Sequence, residues 1–385
     1  METNMSDRIK AAYEKDMQSG DVAVLESDLP LSYESITDEW LTNVLCKAQP
    51  GARVVAHRLS PVDNGSSNRR KIYLEYNAEG KAAGLPAAVF CKATHDLANR
   101  TMLGMGGSIR CEVLFYRNIR PHLNIEAPRS YYANMNHESF NSMIMLNDLT
   151  DEVTEFCTDK TPMSRARAES QMRLLAEYHG RGYASPQLQE LLQQYLNWSD
   201  YFKNTQSFGM KEGSNAGFLA AESVIPSRLY RRFDEIWPAT LASLVIHEQG
   251  PHTLAHGDVH LKNWYVAGNG EMGLSDWQCC GRGHWGRDLA YTISTALTTE
   301  DRRAWERELV QLYLTQLHAA GGPEVGFDEG WTIYRQQLMT ALTWWTVTLT
   351  PPPGLPDMQP RDTTLEFIRR IATAIDDLES LDAFK

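Results

Sequence analysis

The chain has 385 residues, 42% of them hydrophobic and 22% charged, with a formal net charge of −12 at pH 7. That is enough apolar material for a large core, and the length suits two lobes or domains. The acidic balance argues against a nucleic-acid backbone or an anionic membrane as the main partner, because both demand basic surfaces.

The N-terminus, METNMSDRIKAAYEKD, has no signal-peptide apolar region, and no run approaches the roughly eighteen apolar residues of a membrane span. No membrane insertion and a cytoplasmic location are therefore expected. The cysteines, Cys46, Cys91, Cys111, Cys157, Cys279 and Cys280, show no CxxC spacing and scatter through apolar segments, as reduced core thiols do.

Thr37 is placed to cap a helix through Trp40, Val44 and Leu45, which Pro50-Gly51 would end. A β-rich stretch follows: strands over 53–62, over 71–76 with Ile72, Leu74 and Tyr76 alternating, and over 87–93 with Lys92 inside an apolar run. The turn NAEGKAAGLP between the last two is long for a hairpin. The segment Asp63-Asn64-Gly65-Ser66-Ser67-Asn68 reads equally as an ordinary polar turn or as a backbone cradle for an anion.

Glu112 falls in a helical run, CEVLFYRNI, and 142–146 is an apolar strand leading into Asn147-Asp148. From Thr161 onward the pattern turns helical, with Pro162 at an early position and Met172, Leu175, Ala176 and His179 at helical spacing. His179, on an apolar face, reads as a satisfied core group.

Residues 256–278, HGDVHLKNWYVAGNGEMGLSDWQ, carry the chemistry. Asp258, Asn263 and Asp276 have the layout of a phosphotransferase catalytic loop. One carboxylate lies near an acceptor hydroxyl, an amide oxygen five positions on holds a metal ion, and a second carboxylate holds the same ion against nucleotide phosphates. Strands over 263–267 and 272–275, joined by Gly268-Asn269-Gly270, predict a hairpin between them. Asp258 is the expected base or hydroxyl-orienting group, Asn263 and Asp276 suit Mg2+, and His256 braces the loop rather than ionising. A further helix opens in GRGHWGRDLAYTIS with Asp288 near its start, and a last one is predicted over 363–382.

HGDxxxxN followed by Asp-Trp-Gln resembles the aminoglycoside phosphotransferase and choline kinase superfamily. The Asp-Trp-Gln form and the long chain are most similar to its ecdysteroid kinase-like branch. The resemblance implies an α+β, bilobal protein-kinase-like fold: residues 1–150 as an N-terminal extension and nucleotide-binding lobe with an antiparallel sheet and a helix, residues 151–385 as a larger, mainly helical lobe with the catalytic loop and acceptor pocket. ATP as donor (GTP being left open), Mg2+ and a small hydroxylated acceptor come with it.

By the same resemblance Lys92 grips the α and β phosphates and Glu112 orients it through an ion pair. Gly65, Ser66 and Ser67 lie in the phosphate-covering loop, which departs from the GxGxxG form. Asn147 and Asp148 stand at the hinge, where backbone groups meet the purine. His260 and Lys262 fall where kinases of different branches place a cation for the transferring phosphoryl group. Asp288 ties the catalytic loop through hydrogen bonds.

Two other classes compete. His256, Asp258 and His260 spell HxDxH, a ligand pattern of metal-dependent hydrolases, but a hydrolase has no use for Lys92, Glu112 and Asn263 in that order. A non-catalytic nucleotide-binding module usually lacks the base, a metal ligand or the lysine, and all are present here. For the acceptor, Trp198, Tyr201, Phe202, Trp331, Tyr334, Trp344 and Trp345 outnumber clustered acidic residues in the C-terminal half. This favours a partly apolar alcohol or a sterol-like molecule over a polycationic aminoglycoside, with a choline-type acceptor still open. Trp344 and Trp345 cannot face one way on a helix, so one of them is free to line a cleft.

Overall fold

Alternation in Ile72, Leu74 and Tyr76, and again in Val89, Cys91 and Ala93, turns one row of side chains of each strand inward, and all six are buried. In the computed structural model, which describes residues 5–65, 67–353 and 357–385, these strands belong to an antiparallel sheet of order β1-β3-β4-β6-β5, with β2 on β3. Its strands are β1 Val54–Leu59, β2 Asp63–Asn64, β3 Asn68–Tyr76, β4 Ala88–Ala93, β5 Ser130–Met135 and β6 Ser142–Asn147. The sheet lies in the first of two compact units, residues 1–122 with 128–152, and the second comprises 123–127 with 153–385.

Helices α1 Met5–Ser19, α2 Asp38–Leu45, α3 Ala78–Ala82, α4 Leu97–Met105 and α5 Ser108–Leu114 complete the first unit. As expected, Thr37 caps α2 by accepting from the Trp40 N–H. Trp40, Leu41 and Val44 then pack with Tyr33 onto the inward row of the sheet. The first strand is shorter than predicted, ending at Leu59 just before Ser60-Pro61, since proline has no N–H for the ladder. The long turn holds a surprise, α3, which Asn77 caps by accepting from the Gly80 N–H.

Three short strands, β7 Val153–Phe156, β9 Trp264–Ala267 and β10 Met272–Leu274, form a second sheet, while β8 Thr253–Ala255 pairs with β11 Gly281–Gly283. The predicted hairpin is β9–β10, in register Met272↔Val266 and Leu274↔Trp264, and Gly270 takes the left-handed φ of +84° that its turn needs. The remaining helices are α6 Arg165–Ala184, α7 Pro186–Leu192, α8 Trp198–Thr205, α9 Met210–Ala220, α10 Ser227–Tyr230, α11 Phe233–Ser243, α12 Gly286–Ala296, α13 Thr299–Ala319, α14 Phe327–Leu349 and α15 Arg361–Asp377.

Several helix limits differ from expectation: α2 ends already at Leu45, and α15 opens at Arg361. Helix α6 starts three residues after Pro162, because Ser164 accepts from the Arg167 N–H and makes a better cap. The last helix ends at Asp377, and Glu379, with φ +48°, breaks it from a closing 3-10 turn, Ser380–Phe384. Every residue of α12 is buried, and the helix lies against α6, α14 and α15. Its polar side chains must therefore find partners inside the protein. Among the described residues no helix is long and apolar enough to cross a membrane.

Candidate active site

After β8 the chain turns sharply at Gly257, with φ +80°. A Cβ there would lie 2.6 Å from the Cys279 carbonyl oxygen, so only glycine fits. Asp288 on α12 accepts from the amides of His256 (2.6 Å) and Gly257 (3.0 Å). This is the role expected of it. One residue earlier, Arg287 donates from Nε and Nη2 to the Gly257 carbonyl, at 3.1 and 2.8 Å. One helix turn thus satisfies both sides of the loop backbone.

Asp288 is held in turn by the Tyr178 hydroxyl at 2.7 Å and by His179 Nε2 at 3.3 Å, while the Tyr313 hydroxyl meets His179 Nδ1 at 2.8 Å. Burial alone would raise the Asp288 carboxyl, but His179, His256 and Tyr178 outweigh it and keep the carboxylate well below its ordinary range. His179 is wholly buried and engaged at both nitrogens, a core group as its helical position suggested.

His256 accepts from the Asp258 amide at Nδ1 (3.2 Å) and donates from Nε2 to the Ser275 carbonyl (2.9 Å). That pattern is a neutral imidazole, and burial pushes its pKa down accordingly. The imidazole braces the loop, with neither nitrogen left for a metal. Among the described residues no group of three or more His, Cys, Asp or Glu side chains is arranged to hold a metal ion.

Asp258 receives the Tyr291 hydroxyl at Oδ1, 3.1 Å away, and Oδ2 lies 3.5 Å from both His260 Nε2 and Asn263 Nδ2. Burial would raise this carboxyl, and His260, His256 and Arg287 together bring it below the ordinary value. It is ionised at neutral pH. Asn263 Nδ2 also donates to the Asp258 carbonyl at 2.7 Å, which directs the amide oxygen away from its own loop. The Ser275 amide and hydroxyl both bond to the Asn263 carbonyl at 2.9 Å, so Asp276 follows directly on a contact with Asn263. Asp276 itself has φ +60° and ψ +63°, a left-handed conformation that aspartate tolerates better than most side chains. Lys262 donates to Gln359, ahead of α15.

In the first unit Lys92 Nζ meets Glu112 Oε1 at 2.6 Å, with side chains only 12% and 8% exposed. β4 turns Lys92 to the face opposite Cys91, and α5 supplies the buried carboxylate. In the polar loop, the Gly65 amide donates to the Ser67 carbonyl and the Gly65 carbonyl accepts from Asn99 Nδ2 at 3.1 Å. Ser67 is buried, and Ser66 lies outside the described residues. Asn147 exchanges backbone and side-chain hydrogen bonds with Arg129, and Asp148 pairs with Lys71 at 2.9 Å, so both side chains serve the unit's own structure. Of the two adjacent tryptophans, Trp344 is half-buried against Trp198 and Tyr201, whereas Trp345 is buried beside His260 and Phe367.

Sequence reasoning missed Tyr291 and left Arg287 without a role. Their positions carry a signal: on a helix, 291 is the neighbour of both 287 and 288, at i+4 and i+3.

The fold is that of kinase-like small-molecule phosphotransferases, enzymes that act on hydroxyl groups. The family model described as the ecdysteroid kinase-like family matches residues 61–321, more than half of the chain, and the protein belongs to that family. No curated protein matches significantly. Among solved structures, a candidate aminoglycoside phosphotransferase of Ralstonia eutropha JMP134 is 14% identical, with 87% of this chain and 95% of that one covered and a TM-score of 0.50. That likeness shows the fold. A microcompartment-associated aminopropanol kinase (12% identical, 84% and 91% covered, TM-score 0.49) and an ethanolamine kinase of Plasmodium vivax (12%, 98% and 95%, 0.45) are also similar.

Proposed function

We propose that this enzyme transfers the γ-phosphoryl group of ATP to a hydroxyl of a small, partly apolar alcohol or sterol-like acceptor, in the cytoplasm. The observation that carries the reading is the Asp258 carboxylate: ionised, anchored at Oδ1, with Oδ2 beside His260 and Asn263. The acceptor oxygen attacks the γ-phosphorus, the bond from that phosphorus to the β-phosphate bridging oxygen breaks, and the nucleoside diphosphate leaves. The acceptor proton passes to Asp258 Oδ2 late in the transfer. Lys92, kept extended by Glu112, grips the nucleotide phosphates.

Asn263 and Asp276 fit Mg2+: both offer oxygen, the Asn263 amide nitrogen is already committed to Asp258, and Ser275 ties the two segments together. When bound there, the ion neutralises phosphate charge. His260 Nδ1 has no hydrogen-bond partner among the described residues although the ring is only 5% exposed, and a phosphoryl or acceptor oxygen would satisfy it. Lys262 is the second candidate for that role. Half-buried aromatic surface at Tyr201 and Trp344 favours an acceptor with an apolar body.

The test is a transfer screen with MgATP and MgGTP against alcohols, sterols, sugars, choline and aminoglycosides, read as an 80 Da mass gain, alongside metal analysis of the purified protein and titration of ATP with and without Mg2+. Transfer to a neutral hydroxylated compound, lost in Asp276→Ala together with Mg2+-dependent nucleotide binding, is expected. Stoichiometric zinc with indifference to ATP would overturn the reading.

A further inference from the structure

We propose that Tyr291 is a positioning residue for phosphoryl transfer, fixing the Asp258 carboxylate so that Oδ2 alone is presented to the acceptor hydroxyl. The proposal rests on the assignment of Asp258 as proton acceptor. Tyr291 is wholly buried on α12, and its hydroxyl donates to Oδ1 at 3.1 Å. Rotation about the terminal bond of an aspartate is soft and makes its two oxygens interchangeable. A hydrogen bond to one of them removes that freedom.

The same turn of α12 that carries Tyr291 carries Asp288 and Arg287, which grip the loop backbone, so the helix sets backbone and carboxylate together. Arg287 also lies 5.2 Å from the Tyr291 ring, and Tyr291 stands 6.3 Å from the ring of His260. Burial and the Asp258 charge raise the phenol well above its ordinary pKa, so it keeps its proton and acts only as a donor. In the transfer step the acceptor oxygen–phosphorus bond forms, the phosphorus–bridging oxygen bond breaks, the acceptor proton goes to Oδ2, and the Tyr291 proton stays where it is.

The experiment measures steady-state ADP release from MgATP with water as acceptor, in the wild type, Tyr291→Phe, Asp258→Asn and the double variant. Tyr291→Phe should lower kcat by about ten- to a hundredfold, leaving KM for ATP within about twofold, as for a misplaced catalytic group. In the Asp258→Asn background the same change should cost nothing further. Wild-type kcat in Tyr291→Phe, or equal losses in both backgrounds, overturns the proposal. A series of 2-, 3- and 3,5-fluorinated tyrosines at 291 keeps the ring in place if Tyr291→Phe does not fold; kcat should follow the donor strength of the phenol, and a flat series counts against the idea. Full turnover in Asp258→Asn removes the parent reading as well. Loss in Asp258→Asn with no effect at 291 removes only this one.

Discussion

Arg287 embraces Gly257: two of its guanidinium nitrogens converge on one carbonyl oxygen, at 3.1 and 2.8 Å, while its carbon lies 3.9 Å above the Trp198 ring. A third nitrogen, Nη1, reaches the Thr340 hydroxyl at 2.6 Å. Arg287 is completely buried, so this fork is what makes its charge tolerable. Lysine offers one point charge in place of a planar fork. Arg287→Lys should lower stability by about 2–3 kcal/mol through lost charge-assisted hydrogen bonds and slow turnover by loosening the loop. Urea denaturation and steady-state rates check both; an unchanged midpoint would show that the fork is dispensable.

Asp258→Asn keeps the shape of the side chain and removes its basicity. Turnover should fall by about two orders of magnitude or more, while melting temperature and MgATP affinity stay near wild type. Calorimetric binding beside a rate assay separates these quantities. Full transfer activity in the folded variant would end the assignment.

For Lys92→Met the change falls on nucleotide use. Glu112 is 8% exposed at its side chain and would lose its 2.6 Å partner, and the phosphates would lose a fixed cation. We expect kcat/KM for ATP to drop by about a hundredfold, the scale of a misplaced phosphate-positioning group. Nucleotide-dependence curves that superimpose on those of the wild type would show this lysine to be ornamental.

Acid should unfold the protein through its buried histidines. Burial lowers the pKa of His247 to about 4 and that of His95 to about 3 from an ordinary 6.5, and His179, His256 and His284 move the same way. A lowered histidine pKa means that the unfolded chain binds the proton first. Their contribution is therefore complete above about pH 6.5 and is lost as pH falls from there toward 4. Melting temperatures from pH 8 to 4 should be flat at first and then decline steeply below 6.5. A melting point that held level down to pH 4.5 would contradict this.

The catalytic loop was legible because its chemistry is local: Asp258, Asn263 and Asp276 flank one hairpin, β9–β10, and glycines mark the turns. Lys92 and Glu112 could be paired only by their order along the chain, and in the fold their side chains meet at 2.6 Å. Tyr291 and Arg287 escaped because their partners are more than thirty residues away or at that distance, and nothing in a helix sequence says what faces it. Helix α3 was hidden by its length, five residues, too short for a periodic pattern. Propensity also misplaced the start of α6, where Ser164 prevailed over Pro162 as the boundary signal.

Tyr33 lies well ahead of the family-matched span, which begins at residue 61, yet its hydroxyl reaches the carbonyls of Asn68 and Cys91 at 2.9 and 3.1 Å. With Trp40 and Leu41 it shields Ile72, Val89 and Cys91, the row directly behind Lys92. A protein trimmed to the family boundaries would therefore bare a sticky β-surface and be prone to aggregate. A shortened version of this kinase should keep Tyr33, Trp40 and Leu41, and one that loses them together with its activity would report on a missing lining rather than on missing chemistry.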